Sequence, residues 1–116
     1  MECKEVFELY AAAVGGGDVD AVVGAYADDA VFHDQGPTLS GRPPYHIVGK
    51  DKIKETLALI GSRGSKVNIK SIEGNVMTYE LAIVTGHRLP CKGTLFMTDG
   101  LVKLHLVLPD GEVINP

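Results

Sequence analysis

The sequence predicts an α+β fold in which helices pack on one face of a curved, largely antiparallel sheet. Three observations lead there. Apolar residues recur at helical spacing in three stretches within the first 60 residues. From Lys66 onward the texture changes to β-branched and aromatic runs separated by turn residues. Between the last two runs stands Asp99-Gly100, a strong hairpin signal because both residues tolerate the left-handed backbone of a two-residue turn. Helices first and strands after is the order of an α+β domain. The length of 116 residues fits one domain, 1–116, with a real core.

The first helix is expected over about Glu2 to Val14. Val6, Tyr10 and Val14 fall on one line beside Phe7 and Ala11, and Gly15-Gly16-Gly17 ends it. That glycine triplet has no lysine and no GxGxxG spacing, so it reads as a hinge between helices rather than a phosphate cradle. Residues 18–34 are the most informative stretch. Asp18 is a good N-cap, and Val19, Val22, Val23 and Tyr26 form one apolar stripe. Asp28 and Asp29 compete with the backbone and should end this second helix. Ala30-Val31-Phe32 then suits a short strand, with His33 and Asp34 at its exit.

Residues 35–49 contain Gly36, Pro37, Gly41, Pro43 and Pro44 and read as a loop, with an extended piece at Tyr45–Val48. Loops this long in small domains are disproportionately functional. A third helix is expected over Lys50 to Ile60, with Ile53, Leu57 and Ile60 inward. Four strands should follow at Lys66–Glu73, Val76–Thr85, Cys91–Thr98 and Leu101–Leu108, and a turn-like tail from Pro109 to Pro116. In the last strand Leu104, Leu106 and Leu108 share one face, with Lys103, His105 and Val107 on the other.

Composition narrows the partners. A net charge of −4 with scattered Lys and Arg argues against a nucleic-acid or acidic-membrane surface. The triplet Lys50, Lys52 and Lys54 is interrupted by Asp51 and Glu55 and reads as a solvated helix face. No apolar run approaches the roughly 18 residues of a membrane span, and MECKEVFEL is too charged for a secretory signal. Cys3 and Cys91 have no metal-ligand spacing and are expected as free thiols, so a reducing cytoplasm is the expected compartment. The four histidines form no diagnostic ligand pair, and no metal or other cofactor is expected.

Three helices, a hinge after the first, the YADDAVF segment and the strand meander together resemble the nuclear-transport-factor-2-like superfamily. Within it the chain is most similar to the ketosteroid isomerase and SnoaL-like polyketide cyclase branch, over residues 3–108. The resemblance implies a cone-shaped curved sheet, antiparallel or mixed, with three N-terminal helices enclosing an apolar pocket, commonly in a homodimer. It also implies site residues. Asp34 stands where the isomerase has its general base, after the first strand, and Tyr10 matches the tyrosine that donates to the oxyanion from the first helix. The isomerase's second donor, a protonated aspartic acid on a later strand, has no counterpart, because Cys91–Thr98 contains neither Asp nor Asn. The epoxide-hydrolase variant of the fold needs an Asp-Arg-Asp cluster on the sheet, and its absence makes that activity improbable.

A carboxylate deprotonates a carbon acid only when stripped of water and when a donor meets the developing enolate oxygen. Asp34 and Tyr10 would supply one of each. His105 is a third catalytic candidate, as donor or acid, and Phe32, Tyr26 and Phe96 are candidates for the aromatic ligand-binding wall. His33 should point to the opposite face of its strand. Glu80 is either a second pocket carboxylate or the partner of a cation such as Lys92. The expected function is a small cofactor-independent enzyme that removes a proton α or γ to a carbonyl of an apolar ligand, steroid-isomerase-like or polyketide-cyclase-like. The alternative is a non-catalytic ligand-binding or assembly module of the same fold.

Overall fold

In a computed structural model describing residues 1–116, three helices lie against one face of a curved, open, six-stranded mixed sheet. Helix α1 runs Cys3–Val14 and starts in a capping box between Glu2 and Glu5. It buries Val6, Phe7, Tyr10, Ala13 and Val14, the stripe read from the sequence. Helix α2 is only Val19–Val23, with Asp18 Oδ1 accepting from the Ala21 N–H at 3.3 Å. It stops a turn earlier than its apolar spacing predicts. Gly24 closes it, and the next carbonyl, Ala25, accepts from the Val102 N–H at 2.9 Å, so the sheet has already captured the backbone. Tyr26 therefore opens strand β1, Tyr26–Asp34, instead of extending the helix. The two aspartates fall in an irregular stretch of β1: Tyr26 pairs with Val102 and Val31 with Leu104, leaving unmatched residues between. They bulge to solvent, where Asp29 meets Lys103 at 2.7 Å.

Beyond β1 the chain makes a 3₁₀ turn, Gly36–Ser40, and then strand β2, Tyr45–Val48, the extended piece expected inside the loop. Helix α3, Lys50–Gly61, buries Ile53, Leu57 and Ile60. It crosses α1 closely, and only a glycine permits this: a Cβ on Gly61 would stand 2.6 Å from the Ala13 carbonyl oxygen. Strands β3 (Lys66–Glu73), β4 (Val76–Ala82), β5 (Arg88–Thr98) and β6 (Leu101–Pro109) form the meander. Strand β4 ends before Thr85 because the chain turns back at Gly86, whose N–H bonds the Ile83 carbonyl. Strand β5 starts earlier than expected, since Arg88, Leu89 and Pro90 pair with Ala82, Leu81 and Glu80 of β4; Arg88 also exchanges both backbone hydrogen bonds with Ile114 and so ties down the tail. Asp99 and Gly100 both have positive φ, as their hairpin requires.

The strand order is β2-β1-β6-β5-β4-β3. Five pairings include one parallel pair, β1 with β6, which seats the last strand between the first and the meander. Along β6, His105 and Val107 point into the helix-covered core, while Leu104, Leu106 and Leu108 are half-buried on the outer face. Glu80 is on that outer face too, bound to Arg88 at 3.1 Å and Lys70 at 3.7 Å rather than to Lys92. Lys92 instead pairs in register with Thr78.

Candidate active site

A cavity of about 410 Å3 opens between α1, the end of α3 and the concave face of the sheet. Fourteen of its 22 lining residues are hydrophobic, so its walls are of the kind that suits a mainly apolar ligand. Tyr10 and Asp34 both line it, and so do Tyr79 and Cys91.

Asp34 is delivered by the last position of β1, opposite Tyr45 of β2 and Val107 of β6. The chain turns immediately afterwards, and Asp34 Oδ1 accepts from the Gly36 N–H at 2.8 Å. Burial raises the pKa of this carboxyl above the ordinary carboxylate range. The Gly36 hydrogen bond and the His33 ring oppose that shift without cancelling it. A carboxylate placed this way is anchored through one oxygen and is more basic than one in water.

Tyr10 reaches the cavity from the buried stripe of α1. Its ring is tilted against Phe32 at 6.2 Å and stands edge-on to His105 at 4.5 Å, which fixes the direction of the phenol. Tyr79 comes from the inward face of β4, in register with Cys91 on β5. Gly93 on β5 lies beside its ring: a Cβ there would stand in ordinary contact with Phe7 at 3.4 Å and Tyr79 at 3.7 Å. Burial keeps both phenols protonated well beyond the usual range, and the Asp34 charge pushes both further the same way. The Tyr10 and Tyr79 hydroxyls lie close enough for each to influence the other's proton, but they do not close a hydrogen bond of standard geometry. We therefore treat them as adjacent donors facing one space, not as a bonded pair. The Cys91 thiol beside them is pushed up to about 12 by burial and by Asp34, so it stays a thiol.

The other candidates from the sequence are elsewhere. His105 is fully buried beneath the Tyr10 ring, outside the cavity lining. Its Nδ1 is 2.6 Å from the Tyr26 hydroxyl, and its Nε2 has no hydrogen-bond partner. The rings of Phe7, Tyr10, Tyr26 and Phe32 surround it, and desolvation lowers its pKa to about 3. It is a neutral core histidine that does not titrate near pH 6–7. Tyr26 and Phe32 belong to the same buried cluster and do not line the cavity. Phe96 is 47% exposed on the outer face, because it pairs in register with Leu104. His33 also faces outward, its Nδ1 3.0 Å from that of His46 across β1 and β2.

Tyr79 was the residue missed by sequence reasoning, and the signal for it existed. In β4, Met77, Tyr79 and Leu81 alternate with Thr78 and Glu80, which assigns Tyr79 to the inward face. Being one phenol among several apolar residues, it carried no motif.

This fold and pocket define a class, and comparison with known proteins agrees. A SnoaL-like domain model matches residues 6–98, and the chain belongs to that family. No curated protein sequence matches it. Among solved structures, a nuclear-transport-factor-2-like protein of unknown function from Mesorhizobium loti superposes with a TM-score of 0.75 at 13% identity, covering 94% of this chain and 91% of that one. A Catenulispora acidiphila protein with a ketosteroid isomerase-like fold, solved with trimethylamine, gives a TM-score of 0.65 at 17% identity, covering 89% and 83%. An LEH-like epoxide hydrolase of M. tuberculosis gives 0.65 at 22% identity, covering 93% and 82%. At these identities the likeness establishes the fold.

Proposed function

We propose that this chain is a cofactor-independent enzyme that forms an enolate from an apolar, carbonyl-bearing ligand, as steroid isomerases and polyketide cyclases do. One observation carries the reading: Asp34, raised by burial, lines the same apolar cavity as two protonated phenols, Tyr10 and Tyr79. Asp34 takes a proton α or γ to the carbonyl, and the C–H electron pair moves into a new C=C bond. The carbonyl oxygen becomes an oxyanion, and Tyr10 and Tyr79 donate to it. Returning the proton from Asp34 to a conjugated position gives isomerisation, whereas attack of the enolate on a second carbonyl gives cyclisation. Tyr79 supplies the second donor that Cys91–Thr98 lacks, and two donors in a water-poor site are worth far more than in water.

The test follows conjugated-enone formation from a 3-oxo-Δ5-steroid. Asp34→Asn keeps the shape and removes the base, so turnover should fall by about 10²–10⁴ with ligand affinity retained. Unchanged turnover in that variant rules out Asp34 as the base. Steroid binding by the wild type with enone formation no faster than in buffer favours the second reading, a non-catalytic binding module; the Asp34–Gly36 bond supports it, since that bond would cap the loop equally well without chemistry. We also propose a cytoplasmic homodimer formed through the outer sheet face around Leu104, Leu106, Leu108 and Phe96.

A further inference from the structure

The cavity is lined by charges of both signs. Asp34 is its only carboxylate. Arg42, in the turn after the 3₁₀ segment, and Arg63, just past α3, line the same cavity from exposed positions on separate parts of the chain. Neither arginine is used structurally. The ion pairs of the protein are Lys54–Asp20, Lys70–Glu80, Arg88–Glu80 and Lys103–Asp29, and Arg42 has only a 3.3 Å contact from its Nε to the Ser40 hydroxyl. His87, also on the lining, has Nδ1 engaged by Thr85 at 2.6 Å. The nearest acids in sequence to the tail residue on the lining, Val113, are Asp110 and Glu112; neither lines the cavity, although the Asp110 charge reaches the Cys91 thiol. An acidic protein of net charge −4 thus presents two unpaired guanidinium groups on one apolar opening.

We infer that the ligand is an amphipathic acid: an apolar body occupies the cavity, and a carboxylate at its far end is held by Arg42 and Arg63. Guanidinium suits this role because its planar fork matches a carboxylate and keeps its charge at any physiological pH. Charge decides which end of such a ligand goes where. An anion placed beside Asp34 would be repelled, whereas one at the arginines leaves the neutral carbonyl end to reach Asp34, Tyr10 and Tyr79. The inference rests on the site proposed above, and it is tested by binding alone.

Titration calorimetry compares decanoate with decanamide, which has the same chain and a neutral head. The wild type should bind decanoate about tenfold more tightly, the combined effect of two partly exposed charge-assisted contacts. That preference should vanish in Arg42→Gln/Arg63→Gln, whose circular dichroism stays native because both side chains are exposed, and should shrink at about 1 M salt, where screening acts over about 3 Å. Asp34→Asn should keep the preference, so loss of the proposed chemistry and loss of this inference are told apart. Equal binding of the two probes, binding of neither, or a preference retained in the double glutamine variant overturns the inference.

Discussion

Acidification should unfold this protein through His105. The ring is fully buried among Phe7, Tyr10, Tyr26 and Phe32, with Nδ1 committed to Tyr26 and Nε2 facing no acceptor. Protonation would place a charge where no water or carboxylate can meet it, and the folded-state pKa falls to about 3 against 6.5 for a free imidazole. The sign follows from proton counts. Between those two values the unfolded chain binds the proton and the folded chain does not, so stability is complete above pH 6.5 and is lost as pH falls toward 3. Each unit costs about 1.4 kcal/mol, or about 3 kcal/mol between pH 7 and pH 4, a large part of the 5–15 kcal/mol typical of a domain. The raised Asp34 has the opposite sign just above its ordinary 3.8, because the folded state takes its proton more readily. Comparing urea denaturation of the wild type with His105→Gln over this range cancels Asp34 and isolates the histidine. His105→Leu serves if the glutamine variant does not fold. The wild type should lose stability faster by about 1.4 kcal/mol per unit. Equal slopes, or a His105 C2 proton resonance that titrates near pH 6.5, would refute the account.

Tyr79→Phe removes one of two oxyanion donors, so kcat for enone formation should drop by about 10²–10³ with steroid binding preserved; an unchanged kcat removes Tyr79 from the mechanism. Gly61→Ala forces a methyl within 2.6 Å of the Ala13 carbonyl oxygen, and calorimetry should show about 1–3 kcal/mol of destabilisation. A variant as stable as wild type would mean that α1 and α3 separate freely. Leu106→Glu changes a half-buried outer-face position, and sedimentation should turn a dimer into a folded monomer. A wild type that is monomeric at micromolar concentration rejects that interface.

Periodicity made the long elements legible. The stripes of α1 and α3, the β2 segment inside the loop and the Asp99-Gly100 hairpin all follow from local spacing and turn chemistry. The α2–β1 junction did not, because residues 22–26 fit a helix and a strand equally well. A partner far along the chain, Val102, decides between them. The same limit governed the site. Asp34 and Tyr10, suggested by a family pattern, line the cavity, whereas Tyr26 and Phe32 lie in the core beneath it and Phe96 points away. Phe96 has the composition of a pocket wall, yet its register opposite Leu104 turns it outward. His105 faces inward as its strand parity allows, but it is one layer too deep, covered by the Tyr10 ring. Depth beneath a neighbouring side chain is a tertiary property with no signature in alternation.

The parallel pairing of β1 with β6 has a temporal consequence. Tyr26 and His105, 79 positions apart, must meet before either is satisfied. During synthesis β1 emerges long before its partner strand, with Phe32 and Tyr26 still lacking the wall they pack against. The helices can form early, but the sheet cannot be completed until the last strand has left the ribosome and inserted beside the first. Such late, long-range closure makes folding slow and leaves a sticky nascent chain in the interval. A chain cut short near Leu101 would therefore lose both the edge it pairs with and the centre of its core, and the loss would be felt across the whole molecule rather than at one end.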